Sequence, residues 1–313
     1  MTATDPPKTL DAFRDDRTYL GADHRRNERR TWIVAAICSA TLAALVAGGA
    51  ATRSLALIAN GLHMAAHVAA LLVAAIAYAL ARRHAGNPAF SFGTGKVGYL
   101  AGFANAVVLA LTAVLIAGES LTRLLRPETV DYHGALPIAA GGLVVNLICI
   151  WLLRPSGATT GRHDPQGDLN LSAAHLHLSA DAAVSVLSLA ALWSGERFGW
   201  RFADPMAGLL SAVLVAQFAA RLLRQAGAAL LDVNPSAALT ADIRRRLGSD
   251  GERVLDLHVW RLGPGHHAAI AVLQADPPQP VDRYHARLAG LAGLSHVTIE
   301  VRQGQNAHAH EHG

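Results

Sequence analysis

Four side chains inside long uncharged runs have the types and the spacing to hold a metal ion. In "ANGLHMAAH", His63 and His67 are four residues apart, and Asn60 lies one turn before them. In "HLHLSADAA", His177 and Asp181 repeat that spacing, while His175 faces roughly away from His177. Residues four apart on a helix share a face. Two helices that each offer such a pair can meet around one ion, giving it three imidazoles and one carboxylate. A nitrogen- and oxygen-rich set of this kind suits Zn2+, Co2+ or Ni2+. It is a poor match for Mg2+ and Ca2+, which take oxygen, and for Cu+, which takes sulfur. An aspartate near the middle of an apolar span costs on the order of 3 kcal/mol to insert, so Asp181 needs a partner or water. Packing and a hydrogen bond explain one histidine in such a run. Two matched pairs on two runs favour a metal site.

The elements that must position these groups follow from composition. Hydrophobic residues make up 52% of the 313 and charged residues only 16%, and the mean hydropathy is positive. The apolar residues come in blocks. Trp32 to Thr52, Ser54 to Ala81, Val97 to Gly118 and Gly134 to Leu153 hold no Asp, Glu, Lys or Arg. Each approaches the ~20 residues that a helix needs to cross a bilayer. Leu169 to Ser194, broken by Asp181, and Pro205 to Ala220 complete an expected set of six spans. A large soluble helical protein is the alternative, but soluble helices rarely stay uncharged for so long. In lipid the backbone must satisfy itself, which makes such runs helical.

Orientation follows the basic residues. Lys8, Arg14, Arg17, Arg25, Arg26, Arg29 and Arg30 precede the first span; Arg82, Arg83 and Lys96 follow the second; Arg154 and Arg162 follow the fourth. The other side has Arg53, Arg123, Arg126, Arg197 and Arg201. Both termini are therefore expected in the cytoplasm. The N-terminal tail has no apolar stretch of the kind a cleavable signal requires. Cys38 and Cys149 fall inside expected spans, so free thiols are expected and no disulfide framework. The net charge of +4 reflects arginines beside the spans; no basic patch interleaved with aromatics points to nucleic acid.

After Asp232 the pattern changes. "NPSAALTADIRRRLGSDG" is a helix with Ser236 or Thr240 as N-cap and Gly251 as stop. "VLDLHVWRLGPG" and "HHAAIAVLQAD" alternate apolar and polar residues on either side of a turn and form a hairpin. A helix beginning near Pro280 and the strand "HVTIEVRQ" follow. The order is αββαβ, a small α+β domain of the ferredoxin-like type with helices on one face of a sheet. The expected organisation is a basic cytoplasmic tail over 1–30 and an all-α six-helix transmembrane domain over 31–232. A cytoplasmic αββαβ domain over 233–303 and a histidine-containing tail over 304–313 follow.

The spans, "LALIANGLHMAAH", "FSFGTGKVGYLAGFANAV", "HLSAD" and the αββαβ tail together resemble a cation diffusion facilitator, from about Asn27 to Arg302. The resemblance implies a dimeric metal/proton antiporter of the bacterial cytoplasmic membrane. The HxxxH and HxxxD pairs, with "LLDVNP" and "DLHVWRLGPGHHAAI", resemble the bacterial cobalt/nickel efflux branch, the divalent metal exporter F type. Its implied transport site falls on His63, His67, His177 and Asp181, with Asn60 and His175 as accessory candidates. The transported ion would be Co2+ or Ni2+, and zinc export with the same residues stays open. So does a reading of another class, a membrane-embedded metal sensor or scaffold. The family's cytoplasmic zinc positions are Asn87, Phe90 and Thr94 between the second and third spans, and Leu255, Ala271, Glu300 and Arg302 in the tail domain. The family's cytoplasmic zinc sites therefore do not carry over to this sequence. Asn60 replaces the acid of "ADGLHM", and the fourth–fifth connection offers only His163.

The same resemblance makes Lys96 and Asp232 a charged interlock between protomers; a snorkelling lysine and a helix-end aspartate is the plainer reading. Asn105 and Asn146 suit hydrogen bonds between helices. Glu119 belongs at the outer interface. His258, His266 and His267 suit surface or packing roles before metal binding, and His308, His310 and His312 a solvated tail. "GTG" before Lys96 lacks the strand and the spacing of a phosphate loop. No nucleophile with a matched base suggests an enzyme.

Overall fold

The computed structural model describes residues 19–20, 23–52, 55–126, 132–153, 169–200 and 202–303. Six long helices come first: α1 His24–Thr52, α2 Leu55–Arg83, α3 Val97–Leu125, α4 Tyr132–Leu152, α5 Leu169–Phe198 and α6 Ala203–Leu230. The expected apolar runs fall on these helices in order. α1 starts earlier than its run, so Arg25, Arg26, Arg29 and Arg30 belong to its first turns and not to a free tail. α6 continues past Ala220 to Leu230.

Among the described residues, four segments are long and apolar enough to cross a membrane: α3, His133–Leu152 of α4, Ala173–Phe198 of α5, and α6. Their outward faces carry exposed Leu111, Val114, Leu115, Trp151 and Val213, side chains that a bilayer would cover. The basic residues Lys8, Arg14, Arg17, Arg53, Arg154, Arg162 and Arg201 lie outside the described residues, as do His163, His308, His310 and His312.

Two buried clusters organise the helices. One joins Val34, Ala35 and Cys38 of α1 to Val68 and Leu71 of α2, Cys149 of α4, and Leu171, Ala174 and Leu178 of α5. The other joins Ala106, Leu109 and Ala113 of α3 to Ala173 and Ala180 of α5 and to Val215, Ala219 and Leu222 of α6. α5 contributes to both, so it is the helix packed from both sides. α3 and α6 approach closely because small residues line their contact; a β-carbon on Gly208 would lie 2.1 Å from Ser120 Oγ.

α6 ends in a Schellman motif. Val233 donates to the Ala228 carbonyl at 2.9 Å, and Asp232 holds the left-handed position with φ 56°, where glycine is usual. Lys96 Nζ donates to Asp232 Oδ1 in the same chain.

The small domain runs α7 Ala237–Leu247, β1 Arg253–Gly263, β2 His266–Ala275, α8 Val281–Leu288 and β3 Leu294–Gln303. This is the expected αββαβ order. Ser236 is the N-cap of α7, accepting from Leu239 N at 3.2 Å, while Thr240 bonds back to the Ser236 carbonyl at 3.0 Å. The helix stops at Gly248 rather than at Gly251; Gly251, at φ +93°, serves the turn into β1. The sheet order is β1-β2-β3, with β1 and β2 antiparallel and β2 and β3 parallel. Ile243, Leu247, Tyr284 and Leu288 of the two helices pack with Val259, Ala269, Ala271, Leu273 and Ile299 of the strands, which puts both helices on one face.

The helical part and the small domain meet at a backbone seam. Tyr19 is buried with Leu262 and Ala268. A β-carbon at Gly263 would lie 2.2 Å from the Tyr19 carbonyl oxygen and 3.1 Å from the Gly95 α-carbon. Phe92 meets Trp260 edge-on at 5.7 Å, and the Arg261 guanidinium lies over the Tyr99 ring at 5.6 Å.

Candidate metal site

α5 forms in spite of its polar residues because its hydroxyls close back onto the helix. Ser179 donates to the His175 carbonyl at 2.8 Å, and Ser185 to the Asp181 carbonyl at 2.8 Å, so neither needs a partner elsewhere. The helix then presents His177 and Asp181 on one face, one turn apart. His177 Nε2 is 3.5 Å from Asp181 Oδ2, with side chains 5% and 11% exposed. An imidazole and a carboxylate at this separation, so deeply buried, are placed for a shared proton or a shared cation. His175 is half-buried on the same helix.

Asn60, His63 and His67 lie on α2, and their side chains fall outside the described residues. What the fold does give is the neighbourhood. α2 and α5 touch, and Val68, next to His67, shares a buried cluster with Leu178, next to His177. Among the described residues no group of three or more His, Cys, Asp and Glu side chains gathers closely enough to hold a metal ion.

Of the positions where the resemblance implied a missing cytoplasmic zinc ligand, Leu255 is exposed, Ala271 belongs to the small domain's core, and the others make local contacts. Thr94 donates to the Ala81 carbonyl at 2.7 Å. Asn87 Oδ1 accepts from Ala89 N at 3.0 Å, and Phe90 packs on His84 at 6.1 Å. Glu300 pairs with Arg302 at 2.7 Å. The tail-domain histidines are engaged locally: His258 with Asp256 at 2.8 Å, His266 with Ser295 at 2.7 Å, and His267 with the Gly293 carbonyl at 3.3 Å. Burial holds the His266 imidazole below its ordinary pKa, against a raising backbone contact from Leu20.

Both amides expected to bond between helices, Asn146 on α4 and Asn105 on α3, are buried. Among the described residues Asn105 Oδ1 accepts no hydrogen bond, so the bond between helices expected of it is not made to any of them at that atom. Glu119 is exposed and pairs with Arg123 at 2.8 Å.

Two relationships had no signal in the sequence. Arg82, counted above only as an orienting charge, makes a bidentate pair with Glu28 of α1, Nε to Oε2 at 2.8 Å and Nη2 to Oε1 at 3.0 Å. Cys38 and Cys149 are free buried thiols whose sulfurs are 3.8 Å apart. In both cases the partners are far apart in sequence, and only helix packing joins them.

The model of the cation efflux transmembrane domain matches residues 31–231. The chain belongs to the cation efflux family. This cation efflux protein is 31% identical over 272 residues to a Bacillus subtilis protein named as a cadmium, cobalt and zinc/H(+)-K(+) antiporter, covering 84% of this chain and 85% of that one. It is 29% identical to the Escherichia coli zinc transporter ZitB, over 91% and 95% of the two chains. It is 30% identical to the Cupriavidus metallidurans metal cation efflux system protein CzcD, over 90% of each. The family consists of transporters rather than enzymes, and the apolar helices make this member a membrane protein.

Proposed function

We propose that this cation efflux protein exports Co2+ or Ni2+ from the cytoplasm in exchange for protons, through one site made by His63, His67, His177 and Asp181. The observation that carries the reading is the buried His177–Asp181 pair, 3.5 Å apart on the helix packed from both sides. His63 and His67 repeat its spacing on a helix in contact with α5; Asn60 and His175 are accessory candidates. Efflux of a divalent metal cation is supported by the names of the relatives, which include cobalt, zinc and cadmium. Zinc stands in both of those names and nickel in neither, which favours a second reading, zinc export through the same four residues.

Ligation needs neutral imidazoles and an ionised carboxylate, so binding an ion releases protons and reprotonation expels it. Rocking of the helices would expose the site first to the cytoplasm and then to the outside. The reading includes six spans, with residues 31–232 as the transport domain and 233–303 as a cytoplasmic, ferredoxin-like domain. Both termini would be cytoplasmic, in a bacterial inner membrane. It takes the chain as a homodimer in which the Lys96–Asp232 pair belongs to a charged interlock.

The test is proton flux in proteoliposomes carrying a pH dye, scanned over Co2+, Ni2+, Zn2+, Mn2+ and Cd2+. Flux with Co2+ and Ni2+, lost in Asp181→Ala and His177→Ala, supports the proposal. Flux confined to Zn2+ keeps the site and replaces the ion. Normal flux in both variants overturns the site, and binding without flux for any ion favours a sensor.

A further inference from the structure

Where α1 begins and α2 ends, arginines gather that metal export does not use: Arg25, Arg26, Arg29 and Arg30 on α1, and Arg82 and Arg83 on α2. The two helix ends are tied together. His24 meets Tyr78 edge-on at 5.0 Å, and its Nε2 lies 3.1 Å from the Tyr78 carbonyl oxygen. Glu28 holds Arg82, which brings their neighbours Arg29 and Arg83 to one level. Asp23 takes Arg26 at 2.6 Å. Arg25, Arg29 and Arg83 are exposed, and among the described residues no carboxylate pairs with them. Each of these three ends an outward-facing stripe. On α1, Arg25 and Arg29 share a face with exposed Trp32, because spacings of four and three stay on one side of a helix. On α2 the same spacings carry exposed Val73, Ile76 and Leu80 to Arg83. Both stripes run from apolar side chains to charge, and α1 passes through an indole, the amphipathic ring that favours a membrane–water boundary.

We infer that this end of the α1–α2 pair is a binding surface for the phosphodiester headgroup of an anionic phospholipid of the phosphatidylglycerol type. A guanidinium presents paired N–H donors that match two oxygens of a phosphate, and basic clusters at the end of a span attract anionic lipid. Charge selects the headgroup. A zwitterionic lipid brings its own cation, which Arg25, Arg29 and Arg83 repel, whereas an anionic one brings only the phosphodiester. The stripes select a lipid over free phosphate, because acyl chains cover Trp32, Val73, Ile76 and Leu80 while the phosphate meets the guanidiniums. This surface rests on α1 and α2 being membrane spans, as proposed above, and uses none of the four transport residues.

The test is native mass spectrometry of the delipidated full chain in detergent, titrated with phosphatidylglycerol and with phosphatidylcholine of the same acyl chains. The wild-type protein is expected to retain phosphatidylglycerol in preference. Each of Arg25→Gln, Arg29→Gln and Arg83→Gln should weaken that preference by about fivefold. The double variant Arg126→Gln/Arg197→Gln, at exposed positions near the far ends of α3 and α5, should keep it. Equal retention of the two lipids, equal loss in the double variant, or displacement by inorganic phosphate at constant ionic strength overturns the inference. A second measurement separates this surface from the spans it rests on. In vesicles of either lipid, Ile76→Cys is expected to resist a membrane-impermeant maleimide, and the native cysteines are buried. Labelling at that position would remove the span and this surface with it, whereas unselective retention with the position protected removes this surface alone.

Discussion

The carbonyl oxygen of Leu262 occupies the space in which a side chain at Gly95 would begin: a β-carbon there would lie 2.4 Å from that oxygen. Backbone meets backbone at this point, and neither strand nor connector has a flexible end that could give way. Gly95→Ala is expected to open the seam at a cost of about 1–3 kcal/mol, and Gly263→Ala, facing the Tyr19 carbonyl at 2.2 Å, to do the same. Limited proteolysis should release the small domain faster from both variants; unchanged cleavage would show that the seam is not held by this contact.

Asp232 does two things at once, holding a left-handed backbone and pairing with Lys96. The exposed ion pair itself is worth about 0–1 kcal/mol. A left-handed conformation costs a residue with a β-carbon about 1–2 kcal/mol relative to glycine. Asp232→Ala should therefore be more destabilising than Asp232→Gly, by about 1 kcal/mol, in thermal unfolding in detergent. Both variants lose the ion pair, so the reverse order would show that the left-handed backbone carries no such cost at this position.

Close approach of α3 and α6 depends on Gly208 and Ser120. The atom nearest a β-carbon at Gly208 is Ser120 Oγ, with Ser120 Cβ next at 3.1 Å. Gly208→Ala should cost about 1–3 kcal/mol, and Ser120→Gly in the same chain should recover most of it. No recovery in the double variant would place the strain elsewhere.

In the small domain, Arg287 Nη2 donates to Glu252 at 2.8 Å and to Asp250 at 2.6 Å, and Glu252 is only 5% exposed. Removing one partner of a buried pair costs about 3–5 kcal/mol. Arg287→Ala is expected to speed hydrogen exchange across α8 and β1 of the full chain. The same contact holds the Glu252 carboxyl below its usual pKa, chiefly through the hydrogen bond from Arg287. Its stabilisation is thus complete above the unfolded value of about 4.3 and is lost as pH falls towards the lower folded value. Protection relative to the intrinsic exchange rate that does not fall with acid in wild-type protein, or falls equally in Arg287→Ala, would contradict this.

Much of the candidate site was legible because its signal is local. Imidazoles and a carboxylate stand out in uncharged runs, and i, i+4 spacing alone puts His177 and Asp181 on one face. The αββαβ domain was legible for the same reason, since alternation marks each strand and Ser236 and Pro280 mark helix starts. Gly251 was misjudged as a stop because any glycine after a helical pattern looks alike; Gly248 comes first and closes the bond to Arg244. Asn105 looked like a hydrogen-bonding group between helices, and whether a neighbour supplies a partner is a matter of packing.

By itself the sequence determined which segments are helices or strands, since backbone satisfaction and side-chain periodicity are properties of neighbouring residues. It also determined the chemistry on offer, three imidazoles and a carboxylate in apolar surroundings. Only the tertiary structure decided that α5 is packed on two sides, that Glu28 neutralises Arg82, that Gly95 and Gly263 form a seam with Tyr19, and that two cysteines 111 residues apart share one contact. Those facts depend on how six helices and a sheet pack in space, and pairing at such distances leaves no periodic trace along the chain.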